Sequence, residues 1–192
     1  MAYRGLMNKM DDAFNQQWEE ALEERFGTID DTLEVQSEGC PKIKIFYFED
    51  LPEEGTLTAV TGGLSNASHP DWKAGKPELI VSLDTSDKSW GFAAGYFASA
   101  LFGKKAFSYG DIFKLDDPFS NESDMNVFLA FAPSFLDKEN ATFNLPDRTI
   151  HLIGMYPLYN EEIEIYNQIG LKEFWHSEGF ELYNPKRNKV HI

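Results

Sequence analysis

The chain has 192 residues, 42% hydrophobic and 15% aromatic, with 17 Lys and Arg against 32 Asp and Glu and a formal net charge of −15. That length and apolar content suit one domain burying roughly 70% of the surface its unfolded form would expose, and they exclude compositional disorder. The charge repels phosphate backbones and anionic lipid, which argues against nucleic acid and membrane partners and favours a basic protein.

Met10–Phe26 is predicted as an amphipathic helix. Met10, Phe14, Trp18, Ala21, Leu22 and Phe26 recur at helical spacing, Asp11, Asp12, Glu19, Glu20, Glu23 and Glu24 fill the opposite face, and Gly27 is the stop. Residues 1–30 are read as an N-terminal helix of the same domain that residues 31–192 complete. Strands are expected at Leu33–Gln36, Lys42–Phe48, Thr56–Thr61 and Glu78–Leu83, separated by turns at Gly39–Pro41 and Leu51–Gly55. The near-continuous apolar run of the fourth suits the centre of a sheet.

A second helix is expected over Asp87–Phe102. Asp87 is its cap, Trp90, Ala93, Ala94, Phe97, Ala98, Leu101 and Phe102 form the buried stripe, and small residues such as Gly91 and Gly95 allow close packing on a sheet. Ser108–Asp124 reads as loop with a short strand at Ile112–Leu115, followed by a buried strand at Val127–Ala132. Phe143–Leu145 and Thr149–Met155 form a hairpin around Pro146–Arg148. Asn160 caps a last helix over Glu161–Trp175, and Phe180–Tyr183 with Lys189–Ile192 make a final hairpin. Helices and strands do not alternate, so the fold class is α+β: one domain with a mixed, mostly antiparallel sheet packed against helices.

Cys40 is the only cysteine, so no intrachain disulfide or thiolate cluster forms, and no base lies near it in sequence. His69, His151, His176 and His191 have no metal-binding spacing, and Asp116–Asp124 lacks the central glycine and terminal glutamate of a calcium loop, so no metal or other cofactor is expected. Gly63–Ala67 loosely resembles a nucleophile elbow after a strand, but Pro70 and Pro77 follow where a helix would have to start. That argues against hydrolase chemistry at Ser65 and against a phosphate cradle, and leaves a turn between strands. The first ten residues lack the apolar segment of a signal peptide, and no run reaches the ~20 apolar residues of a membrane span, so a cytoplasmic protein is expected.

Four segments in order resemble the suppressor-of-fused domain. Thr56–Asn66 (TLTAVTGGLSN) is similar to that family's strand running into "GLSD" or "GMSD", with Asn66 in place of the Asp. Pro77–Leu83 (PELIVSL) is similar to its "ELTFRL" strand. The helix bearing Trp90, followed by Phe107–Ile112 (FSYGDI), resembles its "G-D" turn, and Ile150–Glu162 (IHLIGMYPLYNEE) its strand ending in "PLYEEE". The likeness spans residues 49–174, one domain, whereas the animal members have two. It implies a non-enzymatic binding protein. Animal members hold a short peptide as an added β-strand with an aspartate of the "G-D" turn taking part, and short bacterial members act largely as immunity proteins against toxins. By that resemblance the partner-binding residues are Asp111 and Tyr109 in the turn, with the neighbouring Asp116 and Asp117. The partner is a toxin or regulatory protein. A regulatory adaptor that binds a short peptide by strand addition is the second reading, and an undetected hydrolase the third.

Overall fold

The computed structural model describes residues 2–191, with side chains from Phe14 onward. Three α-helices, α1 (Ala2–Phe26), α2 (Ser89–Ala100) and α3 (Glu162–Trp175), pack against one sheet of eight strands. The strands are β1 (Asp31–Val35), β2 (Ile43–Glu49), β3 (Leu57–Gly62), β4 (Lys76–Leu83), β5 (Ile112–Lys114), β6 (Val127–Phe131), β7 (Thr142–Asn144) and β8 (Thr149–Leu158). They lie in the order β1-β2-β3-β4-β8-β6-β5, with β7 pairing with the start of β8. Every pairing is antiparallel except β4 with β8. The sheet is thus mixed and mostly antiparallel, the α+β architecture expected, with β1 and β5 at its two open edges.

Alternation along the strands divides the core between the two faces. One face carries Ile43, Ile45 and Tyr47 of β2, Leu79, Val81 and Leu83 of β4, and Phe113 and Phe128 near the far edge, all covered by α2 and the loops after it. On the other face Phe46, Phe48, Val60, Ile80, Ile150 and Leu152 meet Phe14, Trp18 and Leu22 of α1. Val127, Leu129, Tyr156 and Leu158, on that same face, meet Phe174 of α3 and Phe180. Each fully buried aliphatic or aromatic side chain of this kind contributes roughly 1.5–3 kcal/mol.

α2 is the most closely seated helix. A Cβ on Gly91 would stand 2.5 Å from that of Ala59, and one on Gly95 would stand 2.7 Å from Ile45 and Val35. The small residues of its stripe therefore set its distance from the sheet. Asp87 does take part in starting it, its Oδ1 accepting the Ser89 N–H at 2.9 Å. α1 stops at Gly27 as expected, the Gly27 N–H reaching the Glu23 carbonyl at 3.0 Å. It begins at Ala2 rather than Met10; the side chains of Met10, Asp11 and Asp12 assigned to its faces lie outside the described residues.

The C-terminal quarter departs from expectation in three ways. Gly170 adopts φ +78°, ψ 171° and interrupts α3, which glycine tolerates because it has no Cβ to clash. Asn160 makes no side-chain cap; the Glu162 carboxylate accepts the Tyr159 N–H instead, at 2.9 Å. No hairpin joins residues 180–183 to 189–191. Arg187 is drawn inward to Glu162, and the tail spends its backbone groups elsewhere, Tyr183 O accepting from Asp84 N at 2.8 Å and Val190 N donating to Glu162 Oε1 at 2.7 Å.

Candidate partner-binding site

Residues 107–111 lead from the end of α2 into β5 through two left-handed backbone positions, Phe107 (φ +59°) and Gly110 (φ +91°). Ser108–Asp111 is a tight turn, with Asp111 N donating to Ser108 O at 3.0 Å and glycine at the third position, where positive φ is required. Gly110 and Asp111 then oppose the single residue Ala130: Gly110 N donates to Ala130 O at 2.8 Å, and Ala130 N donates to Asp111 O at 2.9 Å. That is a glycine bulge, which bends the strand end and re-aims its side chains. A Cβ at Gly110 would also meet Tyr166 Oη at 3.0 Å, and that hydroxyl donates to Gly110 O at 2.9 Å. Phe107 is held in its costly conformation by burial, stacked on Phe113 at 4.9 Å.

The bulge leaves Tyr109 on the surface, 54% exposed, its ring edge-on to Phe131 at 5.3 Å. Burial of the remainder of the ring pushes its phenol up from the ordinary value. Tyr109 stands at the mouth of a groove of about 550 Å³ walled by Ala132, Pro133, Leu136, Asp137 and Lys138 and floored by Leu152 and Ile153. Asp111 is turned back on its own loop: Oδ2 accepts the Ser108 N–H at 2.8 Å and Oδ1 meets Lys105 Nζ at 3.1 Å. Tyr166 beside it has its phenol pushed up, by burial first and then by the Asp111 charge.

Asp116 and Asp117 are exposed, but they lie beyond the other end of β5. The structure therefore brings Asp111 together with Tyr109 and separates both from Asp116 and Asp117 by the length of the strand. Along the outer side of that strand runs a second groove, of about 400 Å³, between Ile112–Leu115 and Tyr96, Phe97, Ala100, Leu101 and Lys105. Lys105, Tyr166 and Tyr96 escaped sequence reading, because each reaches the turn or strand from a separate element. The helical period of α2 could have flagged Tyr96, one turn after Phe92.

The loop from Asp116 to Asp124 is partly tied down. Glu122 Oε1 accepts from Thr85 Oγ1 at 2.5 Å and Trp90 Nε1 at 2.9 Å, while its Oε2 meets Lys186 at 3.0 Å. Those bonds hold its carboxyl below the usual carboxylate range, against its burial. Among the described residues no group of three or more His, Cys, Asp and Glu is placed to hold a metal ion, and no helix is long and apolar enough to cross a membrane.

The Gly63–Ala67 segment forms a single 3-10 turn over Leu64–Asn66 with Ser65 fully buried. Its backbone N–H groups do cradle a carboxyl group, but one supplied by the chain itself. Glu78 Oε1 accepts from Gly63 N and Ser65 N, both at 2.9 Å, and Oε2 accepts from the Thr61 hydroxyl at 2.7 Å.

A profile of the suppressor of fused protein (SUFU) family matches residues 39–188. Among solved structures, a putative SUFU homolog from Neisseria gonorrhoeae superposes with a TM-score of 0.71 at 15% identity, over 94% of this chain and 98% of that one. The protein of a Sufu–Fu complex gives 0.65 at 11% identity, covering 91% of each chain. Drosophila Suppressor of Fused gives 0.64 at 11% identity, over 92% of this chain and 51% of the fly protein. No curated protein matches the sequence.

Proposed function

The chain belongs to the suppressor of fused family, and from that premise we propose that it is a non-enzymatic protein-binding domain, an immunity protein that neutralises a basic toxin. The observation that carries the binding reading is the pairing of an open strand edge with an anchor residue. β5 has no strand on its outer side among the described residues, an apolar groove runs along it, and exposed Tyr109 lies in the turn that leads into the strand, at the mouth of the other groove. An extended segment of the partner added there gains main-chain hydrogen bonds from the edge and side-chain burial from the groove. Tyr109 offers a large amphipathic surface of the kind that dominates binding energy. That a solved relative is in complex with Fu supports a protein-binding role.

The net charge of −15 supports a basic partner. A field of that sign raises the association rate with a cationic protein by about 10- to 10³-fold, and the gain falls with salt. The second reading, a regulatory adaptor holding a short peptide on β5, is favoured by the edge alone and expects weaker binding that survives salt.

Affinity capture of the tagged protein at low salt, followed by calorimetry on the captured partner, tests both. The immunity reading expects one stoichiometric basic protein, released as salt rises, whose affinity falls about tenfold or more in Tyr109→Ala. A partner bound equally well by Tyr109→Ala removes the turn from the interface. A salt-insensitive peptide ligand lost with that variant moves the assignment to the adaptor.

A further inference from the structure

We propose that β1, at the opposite edge of the sheet, is a second docking strand, and that its occupant is an extended basic segment of a protein partner. The outer side of β1 has no partner strand among the described residues. Natural edges are blunted by proline, bulges or inward charges. Asp31–Val35 (DTLEV) has no proline, pairs with β2 in unbroken register and presents Leu33, 36% exposed, at its middle.

α2 runs beside this edge. Lys88 Nζ meets Asp31 at 2.6 Å, a Cβ on Gly95 would touch Val35, and Ser99 Oγ accepts the Ser37 N–H at 2.9 Å. Phe92, 45% exposed, falls between Lys88 and Gly95, as Leu33 falls between Asp31 and Val35. Two of the three exposed large hydrophobic residues described thus share one strip beside an open strand edge.

The rim specifies the charge of what lands there. Asp30 and Glu38 flank β1 at its two ends and Glu49 ends β2 beside Asp30, all exposed, and none is in an ion pair among the described residues. The two acids of the strand itself are matched already, Asp31 by Lys88 and Glu34 by Lys42 at 2.8 Å. A second copy of this chain would bring the same uncompensated acids face to face. A strand with apolar residues toward Leu33 and Phe92 and lysine or arginine between them complements both the strip and its rim.

The test titrates a nine-residue peptide of alternating Lys and Val with a central Phe into the isotope-labelled full chain, following backbone amide signals. Expected are shifts at residues 31–35 and at Phe92, and binding weakened about tenfold or more in Leu33→Asp and in Phe92→Ser. Both are surface positions, so amide spectra of the variants should keep the wild-type fold. The same peptide with Glu for Lys should not bind. Shifts confined to residues 112–114 would overturn this proposal while leaving the β5 reading standing, and so would silence at millimolar peptide. A wild-type dimer that Leu33→Asp dissociates in sedimentation would give the edge to a second copy and overturn it as well.

Discussion

Two glutamates in this molecule are fully buried, Glu78 at the start of β4 and Glu162 at the start of α3, and they are accommodated by opposite means. Glu78 has no cation beside it among the described residues. Its oxygens accept from two backbone N–H groups and a threonine hydroxyl, and burial pushes its carboxyl up against those bonds. Glu162 is gripped by Arg187 through both oxygens, at 2.6 and 2.7 Å, and also accepts the N–H groups of Tyr159 and Val190. The first arrangement is local, built around one turn that joins adjacent strands, and it tolerates a neutral acid. The second ties the segment around residues 187–190 to a helix start, and each partner leaves a bare buried charge when the other is removed. A buried carboxylate can therefore be a turn-former or a clasp, and its partners decide which.

The largest effect should come from breaking the clasp. Arg187→Met leaves Glu162 charged and buried, which costs about 3–5 kcal/mol, measurable as a lowered urea midpoint. Removing Glu162 as well should not restore full stability, since Tyr159 N and Val190 N would lose their acceptor. A double variant as stable as the wild type would show that the ion pair alone matters.

Glu78→Gln should cost less, within about 1 kcal/mol, because the amide keeps its acceptor for Gly63 N and Ser65 N. Its signature is in pH. A carboxyl whose folded pKa is raised contributes stability that is complete below its unfolded value and is lost as pH rises through the folded one. The wild type should therefore lose stability relative to Glu78→Gln as pH climbs from about 4.5. Glu122 and Asp87, held low by hydrogen bonds, act in the opposite sense and are common to both proteins. Parallel curves between pH 4 and 8 would refute the account of Glu78. The smallest effect belongs to a half-exposed counterpart: Lys105→Met removes the ion pair to Asp111 and should change stability by less than about 1 kcal/mol.

Local periodicity made most of the elements legible. Phe14, Trp18 and Leu22 mark the buried face of α1, and the strand runs from KIKIFYF to VFLAFA fall within a residue or two of β2 to β6. Gly91 and Gly95 announced the close seat of α2 because small residues on one helical face have few other uses. The failures share a cause. Arg187 lies between the two segments expected to form a final hairpin, and its partner is 25 residues earlier, so the chain there is instead drawn against the start of α3. Asp116 and Asp117 follow Asp111 closely in sequence, yet an intervening strand carries them to its far end, since extended chain advances about 3.3 Å per residue. The SYGD turn was legible as a motif; that it heads an edge strand was not, because strand order is fixed by long-range pairing.

That pairing bears on how the molecule assembles. β8 is flanked on both sides, by β4 in parallel and by β7 and β6 in antiparallel, and Lys76 lies opposite Ile150 across a long stretch of chain. Before Thr149–Leu158 docks, β4 and β6 each present an apolar border with unsatisfied main-chain groups. Such non-local closure is slow, on the order of milliseconds to seconds for sheet-dominated domains. The interval before β8 arrives is when this chain is most exposed to aggregation through its own half-built sheet.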